Sequence, residues 1–149
     1  MRRIAALVCL LAAGCTASSA TPASQVERQN LATATVVDPG TVDIEETTGV
    51  VADAVTVAPG GTSGWHTHPA PELVLVKSGE LTFYRSDRPG CVAGTFRAGD
   101  AFVGPPGGVP QMATNTGKVA TELVVTFFGI PQGGHVRHDA PVPTGCPEI

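Results

Sequence analysis

Two histidines and a glutamate are the residues of this chain whose types and spacing are best suited to chemistry. His66 and His68 are two residues apart, so on a β-strand their side chains leave the same face. After a turn at 69–71, Glu72 opens the strongly β-prone run 72–76. Two imidazoles and a carboxylate offered to one point are a typical ligand set for a divalent first-row transition metal, so the spacing predicts a metal site.

The stretch that surrounds these residues resembles the first motif of the cupin family. That motif is a glycine, five residues, His-x-His, three or four residues, a glutamate, six residues and a second glycine. The matching residues of this chain are Gly60, His66, His68, Glu72 and Gly79. So many fixed residues at fixed spacing make a far more specific signal than a His-x-His pair alone.

The second cupin motif is matched within 99–115, where one residue differs. The residues that fit, once one extra residue is allowed before the proline, are Gly99, Pro106, Gly108 and Asn115. Gln111 stands where the resemblance implies a fourth metal ligand, a histidine. Two interpretations keep the metal: the amide oxygen of Gln111 coordinates it, as in cupins with a His-His-Glu-Gln set, or Gln111 only hydrogen-bonds a metal-bound water. A barrel without metal is the third alternative.

The metal that this set favours is Mn²⁺ or Fe²⁺, because an amide oxygen is a harder donor than an imidazole nitrogen. Ni²⁺, Co²⁺, Cu²⁺ and Zn²⁺ are the alternatives. Burying polar side chains inside a small barrel costs free energy unless their polar atoms have partners. A single metal ion would be a partner for the two histidines, the glutamate and the glutamine together. Four protein ligands would leave two positions of an octahedron for water or substrate, as metal catalysis requires.

The elements that must position these residues are predicted to be short β-strands. The clearest are 50–58, 72–76, 80–85, 101–103 and 119–130, of which the last is the longest and the main contributor to the core. The turn at 77–80 predicts a hairpin between 72–76 and 80–85. Because no amphipathic helix pattern is present after the first residues, the class is all-β.

Periodicity alone leaves a sandwich and a barrel open. The cupin resemblance implies the double-stranded β-helix, a jelly-roll barrel, over about residues 50–130. We expect residues 31–149 to form a single cupin domain. The resemblance also implies a homodimer, because arms such as 31–37 often pair with a neighbouring subunit in cupins.

Residues 1–20 are interpreted as an export leader. Arg2 and Arg3 precede an apolar run at 4–13 that is too short to span a bilayer. Two cleavage sites compete: 11–15 resembles a bacterial lipobox that would make Cys15 the lipidated first residue, whereas 18–20 fits an ordinary signal peptidase. Residues 21–30 have the composition of a disordered tether. The expected location is therefore outside the cytoplasm, as a cell-surface lipoprotein or a secreted protein.

Cys91 and Cys146 are the two cysteines that remain after the leader. An even pair in an exported protein predicts a disulfide, with two free thiols as the alternative. His135 and His138, in the glycine-rich tail after residue 130, are interpreted as surface histidines rather than a second metal site. Trp65 is expected to pack on the outside of the barrel or at its rim.

The charge balance narrows the partners of this chain. A net charge of −4 without a basic patch argues against nucleic acid and an anionic membrane surface as partners, so we expect membrane contact only through a lipid anchor. The first functional hypothesis is a metal-dependent dioxygenase, isomerase or lyase for a small oxygenated molecule. The alternatives are a non-catalytic small-molecule-binding lipoprotein and a metal-free interaction domain.

Overall fold

The computed structural model describes residues 28–44, 48–87 and 90–148. The predicted leader, Cys15 and most of the predicted tether lie outside these ranges, and the division of the chain into leader, tether and single domain stays a prediction. Within the same ranges, no helix is long and apolar enough to cross a membrane.

Ten strands make up the regular structure of the described residues. They are β1 (Thr35–Asp38), β2 (Gly49–Val57), β3 (His66–Thr67), β4 (Glu72–Ser78), β5 (Glu80–Arg85), β6 (Val92–Arg97), β7 (Asp100–Gly104), β8 (Gln111–Thr114), β9 (Thr121–Ile130) and β10 (His138–Asp139). As predicted, the longest strand, β9, runs through the region 119–130, and it supplies Leu123, Val125, Phe127 and Ile130 to the core.

The strands form two five-stranded sheets. The first has the order β1-β7-β4-β9-β2 and the second the order β10-β3-β8-β5-β6. Alternate residues of β4 and β9 are buried, as expected of strands with one face on a core. The core includes side chains of both sheets, among them Val74, Val76, Leu81, Phe83, Phe96 and Phe102. This arrangement confirms the all-β prediction and the double-stranded β-helix.

The predicted hairpin between 72–76 and 80–85 is wrong. β4 pairs with β7 and β9 in the first sheet, whereas β5 pairs with β6 and β8 in the second. Gly79 carries the chain from one sheet to the other with a φ of 80°, and a Cβ there would lie 2.7 Å from Oγ1 of Thr121. The turn therefore needs glycine, and it connects two layers rather than two neighbouring strands.

Residues 131–148, here called the C-terminal strap, lie against the second sheet. Within the strap, β10 pairs with β3, so that Asp139 is opposite His66. The indole Nε1 of Trp65 donates a hydrogen bond of 3.0 Å to the carbonyl oxygen of Pro147. Trp65 is thus buried under the strap, which agrees with its predicted packing on the outside of the barrel.

A disulfide between Cys91 and Cys146 fastens the strap at its far end. Cys91 directly precedes β6, the outer strand of the second sheet, so the covalent link and the β10–β3 pairing hold the strap at opposite edges of that sheet.

Removing this disulfide is expected to loosen the strap over Trp65. In the double variant Cys91→Ser/Cys146→Ser, the emission of Trp65, the single tryptophan of the chain, should shift to longer wavelength and acrylamide should quench it more strongly. The free energy of unfolding in urea should fall by about 4 kcal/mol, the loop-closure value for a separation of 55 residues.

Thr144→Ala is the matched control, because Thr144 is an exposed residue of the strap. It should leave both the emission and the stability unchanged. If the double serine variant has the emission of the wild type, the strap docks without the disulfide and the prediction is wrong.

Candidate functional site

The strand register brings the four predicted ligand residues to one region between the two sheets. On the second sheet, His66 is directly opposite Gln111 in the β3–β8 pair. Glu72 begins β4 in the first sheet, where it is opposite Gly104 and Phe127. The side chains of His66, His68, Glu72 and Gln111 are all buried.

Gly104 makes room for the carboxylate. A Cβ at this position would lie 2.5 Å from Oε1 of Glu72 and 2.6 Å from its Cγ, closer than atoms can approach. Residue 104 must therefore lack a side chain if Glu72 is to keep its place, a requirement that sequence reasoning missed because the contact joins two strands.

The orientation of both imidazoles is fixed through Nδ1. Nδ1 of His66 lies 2.8 Å from the carbonyl oxygen of Gly64, and Nδ1 of His68 faces the carbonyl oxygen of Val136 in the strap. A carbonyl oxygen can only accept a hydrogen bond, so both Nδ1 atoms carry the proton. Each Nε2 is then a bare acceptor when the ring is neutral.

The two acceptor nitrogens face each other, with Nε2 of His66 and Nε2 of His68 only 3.0 Å apart. A proton on one of them would relieve the contact, but burial disfavours it: desolvation lowers the pKa of His66 to about 4 and also lowers the pKa of His68. At neutral pH the two lone pairs therefore oppose each other without a donor between them.

The carboxylate and the amide complete the group. Nε2 of Gln111 donates a hydrogen bond of 2.5 Å to Oε1 of Glu72, and Oε2 of Glu72 lies 3.6 Å from Nε2 of His68. Oε1 of Gln111 is buried without a hydrogen-bond partner. Burial raises the pKa of Glu72 to about 7, although the hydrogen bond from Gln111 works in the opposite direction.

This donor set fits a cation. Two nitrogens bound to one metal at about 2.1 Å and at right angles would be about 3.0 Å apart, which matches the observed separation. As the side chains stand, no group of three or more His, Cys, Asp or Glu residues in 28–44, 48–87 and 90–148 forms a complete metal cluster. Gln111 would add an amide oxygen to such a group, and Nε2 of His68 and Oε2 of Glu72 are 3.6 Å apart.

A cavity of about 220 Å³ adjoins the two histidines and Glu72. Most of its wall is apolar, and it includes Val74, Leu81, Phe83, Phe102, Val125 and Phe127. The predicted core residues Phe83, Phe102 and Phe127 thus belong both to the core and to the cavity wall. A larger groove on the outer face of β2 and β9 contains none of the predicted site residues.

The strap contributes to the site in ways that the sequence pattern did not reveal. Val136 orients His68 through its carbonyl oxygen, and Arg137 is one of the residues that line the cavity. His135 and His138 are exposed, with ring centroids 6.3 Å apart, in agreement with their interpretation as surface histidines.

The sequence matches the model of a known protein family. The family model described as "Cupin domain" matches residues 54–127, a segment between β2 and β9 that contains all four candidate metal ligands. Residues 54–127 therefore form a cupin domain, as the resemblance of the two motifs implied.

Solved structures give the same result. An oxalate oxidase in complex with the substrate analogue glycolate is 35% identical with a TM-score of 0.51, over 54% of this chain and 42% of that one. A mutant form of the Bacillus subtilis oxalate decarboxylase is 19% identical (TM-score 0.54, 62% of this chain and 24% of that one). Peruvianin-I, a cysteine peptidase from Thevetia peruviana latex, is 23% identical (TM-score 0.51, 59% and 55%).

The chain spans less than half the length of the oxalate oxidase structure that it matches. The likeness to the decarboxylase and to the peptidase, at under a quarter identity, shows the fold alone. No curated protein matches the chain at a significant level.

The elevated pKa of Glu72 predicts a pH-dependent gain in stability for Glu72→Gln in the metal-free protein. Because the folded pKa is about 7 against an ordinary 4.5, the folded state binds more protons between these values, and the free energy of unfolding falls as pH rises through this window. Glutamine has no such dependence. The variant should therefore gain about 3 kcal/mol over the wild type between pH 4 and pH 8.

Urea unfolding in the presence of a chelator, at intervals from pH 4 to pH 8, measures this difference. The opposite effect of the lowered histidine pKa, which raises stability as pH rises from about 4 to 6.5, is common to both proteins and cancels. Glu122→Gln, which makes the same change at a half-exposed glutamate of β9, is the matched control. If the difference in free energy of unfolding between Glu72→Gln and the wild type stays constant from pH 4 to pH 8, the prediction that burial raises the pKa of Glu72 is wrong.

Proposed function

We propose that this chain is an exported metal-dependent cupin enzyme that acts on a small oxygenated molecule. His66, His68 and Glu72 bind a divalent metal, Mn²⁺ or Fe²⁺, and the amide oxygen of Gln111 is the fourth ligand. The observation that carries the proposal is the buried pair of unprotonated imidazole nitrogens, 3.0 Å apart beside a carboxylate. Without a cation this arrangement leaves its acceptors unsatisfied, which is costly in a buried site.

The unpartnered Oε1 of Gln111 favours the four-ligand interpretation over the one in which Gln111 serves only a bound water. Nε2 of Gln111 also holds Oε1 of Glu72, which leaves Oε2 to face His68 and the site. The carbonyl oxygens of Gly64 and Val136 keep the acceptor nitrogen of each imidazole turned inward, as outer partners of metal ligands do.

A divalent metal with open positions, when bound, polarises oxygen atoms of a substrate and supports oxidative or lyase chemistry. The chain's own part is to shape the cavity and to exclude water from it with apolar side chains such as Val74 and Phe127. The 35% identity with an oxalate oxidase supports an enzyme of this kind, and the small cavity supports a small substrate.

The second candidate function is a non-catalytic binding module with the same pocket. The apolar wall favours it, because outside the candidate ligands the charged residues that line the described cavity are limited to Asp53 and Arg137. Oxygen consumption or product formation with a panel of phenols, thiols and keto acids distinguishes the two functions, since a binding module turns over none of them.

Export, lipidation and dimerisation are further parts of the proposal. The disulfide between Cys91 and Cys146 supports an oxidising compartment. The nine-residue edge strand β2, largely exposed, offers a second copy of the chain a surface for pairing.

The metal proposal predicts about one transition metal per chain in protein from residue 21 onward, loaded without oxygen with Mn²⁺ or Fe²⁺. Elemental mass spectrometry after desalting measures it. His66→Ala should lose the metal, because the remaining donors cannot hold it, and Gln111→Ala should bind it at least about tenfold more weakly. Full affinity in Gln111→Ala would assign Gln111 to a bound water.

His135→Ala is the control, since His135 is an exposed histidine outside the site, and it should retain the full metal content. A wild type that stays empty after loading, at a pH above the pKa of Glu72, refutes the metal site. The barrel would then be a binding or interaction domain without metal.

A further inference from the structure

Arg137 is the cationic residue among those that line the cavity described above. The backbone before and after Arg137 contacts the two histidines of the site. The preceding carbonyl, that of Val136, accepts from His68, and Asp139 two residues later pairs with His66 across β10 and β3. Arg137 is therefore a fixed part of the site, although it belongs to the tail of the chain.

The positive charge of Arg137 affects the pKa of both imidazoles. Burial is the main cause of the lowered pKa of His66 and of His68, and the nearby guanidinium lowers both pKa values further. Nη2 of Arg137 also lies beside Gly64, where it would be 3.9 Å from an added Cβ, and the carbonyl oxygen of Gly64 is the one that orients His66.

The hydrogen bonds of Arg137 to Asp139 use only part of its donors. Its Nε and Nη2 donate to Oδ1 of Asp139 at 3.2 and 2.8 Å, and the side chain of Asp139 is 88% exposed. An arginine offers five N–H donors, so these two contacts leave further donors for a ligand. An exposed ion pair of this kind contributes little by itself and yields readily to a better-placed anion.

The other residues that line the cavity indicate the size, polarity and charge of the ligand. The cavity is small, at about 220 Å³, and its wall is mostly aliphatic and aromatic. Asp53, an exposed residue of the edge strand β2, also lines it and adds a negative charge there. These features fit an anion with one charge and an apolar body better than a small dianion.

We propose that the cavity binds a small organic monocarboxylate, with its carboxylate on the guanidinium of Arg137 and its apolar body against the wall formed by residues such as Val74 and Phe127. The proposal rests on the proposed function of the same site and names its ligand class. Arg137 suits this role because its planar fork matches a carboxylate with two hydrogen bonds.

Calorimetric titration of the full chain with butanoate tests the proposal, in the metal-loaded and in the chelator-treated protein. Butanol, butylammonium, oxalate and inorganic phosphate are the comparison probes. Butanoate should bind more tightly than each of them. Arg137→Ala should weaken butanoate binding about 10- to 100-fold, and Arg137→Lys should weaken it less because the charge is kept.

Arg97→Ala is the matched control, because Arg97 is an exposed arginine that pairs with Glu80 away from the cavity. It should bind butanoate like the wild type. An unchanged Trp65 emission in Arg137→Ala shows that the strap is still docked, so that a loss of binding reflects the missing guanidinium.

Equal butanoate binding by wild type and Arg137→Ala, or no binding by wild type, overturns the assignment of Arg137. The metal content, measured on the same samples, reports separately on the proposed function. Metal without butanoate binding refutes only the ligand class. Butanoate binding that depends on Arg137 in a protein that takes up no metal refutes only the metal-dependent enzyme.

Discussion

Two neutral imidazoles that turn their bare nitrogens toward each other inside an apolar barrel form the constraint on which the rest of the site depends. Each ring is held in that orientation by a carbonyl oxygen on its other nitrogen, from Gly64 for one and from Val136 for the other. Burial lowers the pKa of both imidazoles and so disfavours the proton that would relieve the contact. The carboxylate of Glu72, held by Gln111 and admitted by the bare backbone of Gly104, adds a further acceptor.

The C-terminal strap connects this constraint to the covalent structure of the chain. It orients His68 through Val136, covers Trp65 and places Arg137 in the cavity wall, and the bond between Cys91 and Cys146 fastens it. A change in the disulfide therefore reaches the orientation of a candidate metal ligand through a strap fewer than twenty residues long. Because the strap contributes both to stability and to the geometry of the site, a variant of the strap needs a measurement that shows whether the strap is still docked.

The cupin fold does not by itself select a chemistry. Structures that resemble this chain to a similar degree include an oxalate oxidase and a cysteine peptidase. The chemistry of this chain must therefore be argued from its own side chains: an amide in place of an expected histidine, a mostly apolar cavity, and one arginine among the residues that line the cavity.

The sequence by itself determined the features that depend on nearby residues: the strands rich in β-branched residues, the His-x-His pair with Glu72, and the glycine at 79. Tertiary structure decided what depends on distant contacts. The turn at Gly79 joins two sheets, contrary to the expected hairpin, because strand partners are chosen by packing across the whole core. Val136 and Arg137 reach the site only because β10 pairs with a strand about seventy residues earlier, and no local pattern records such a pairing.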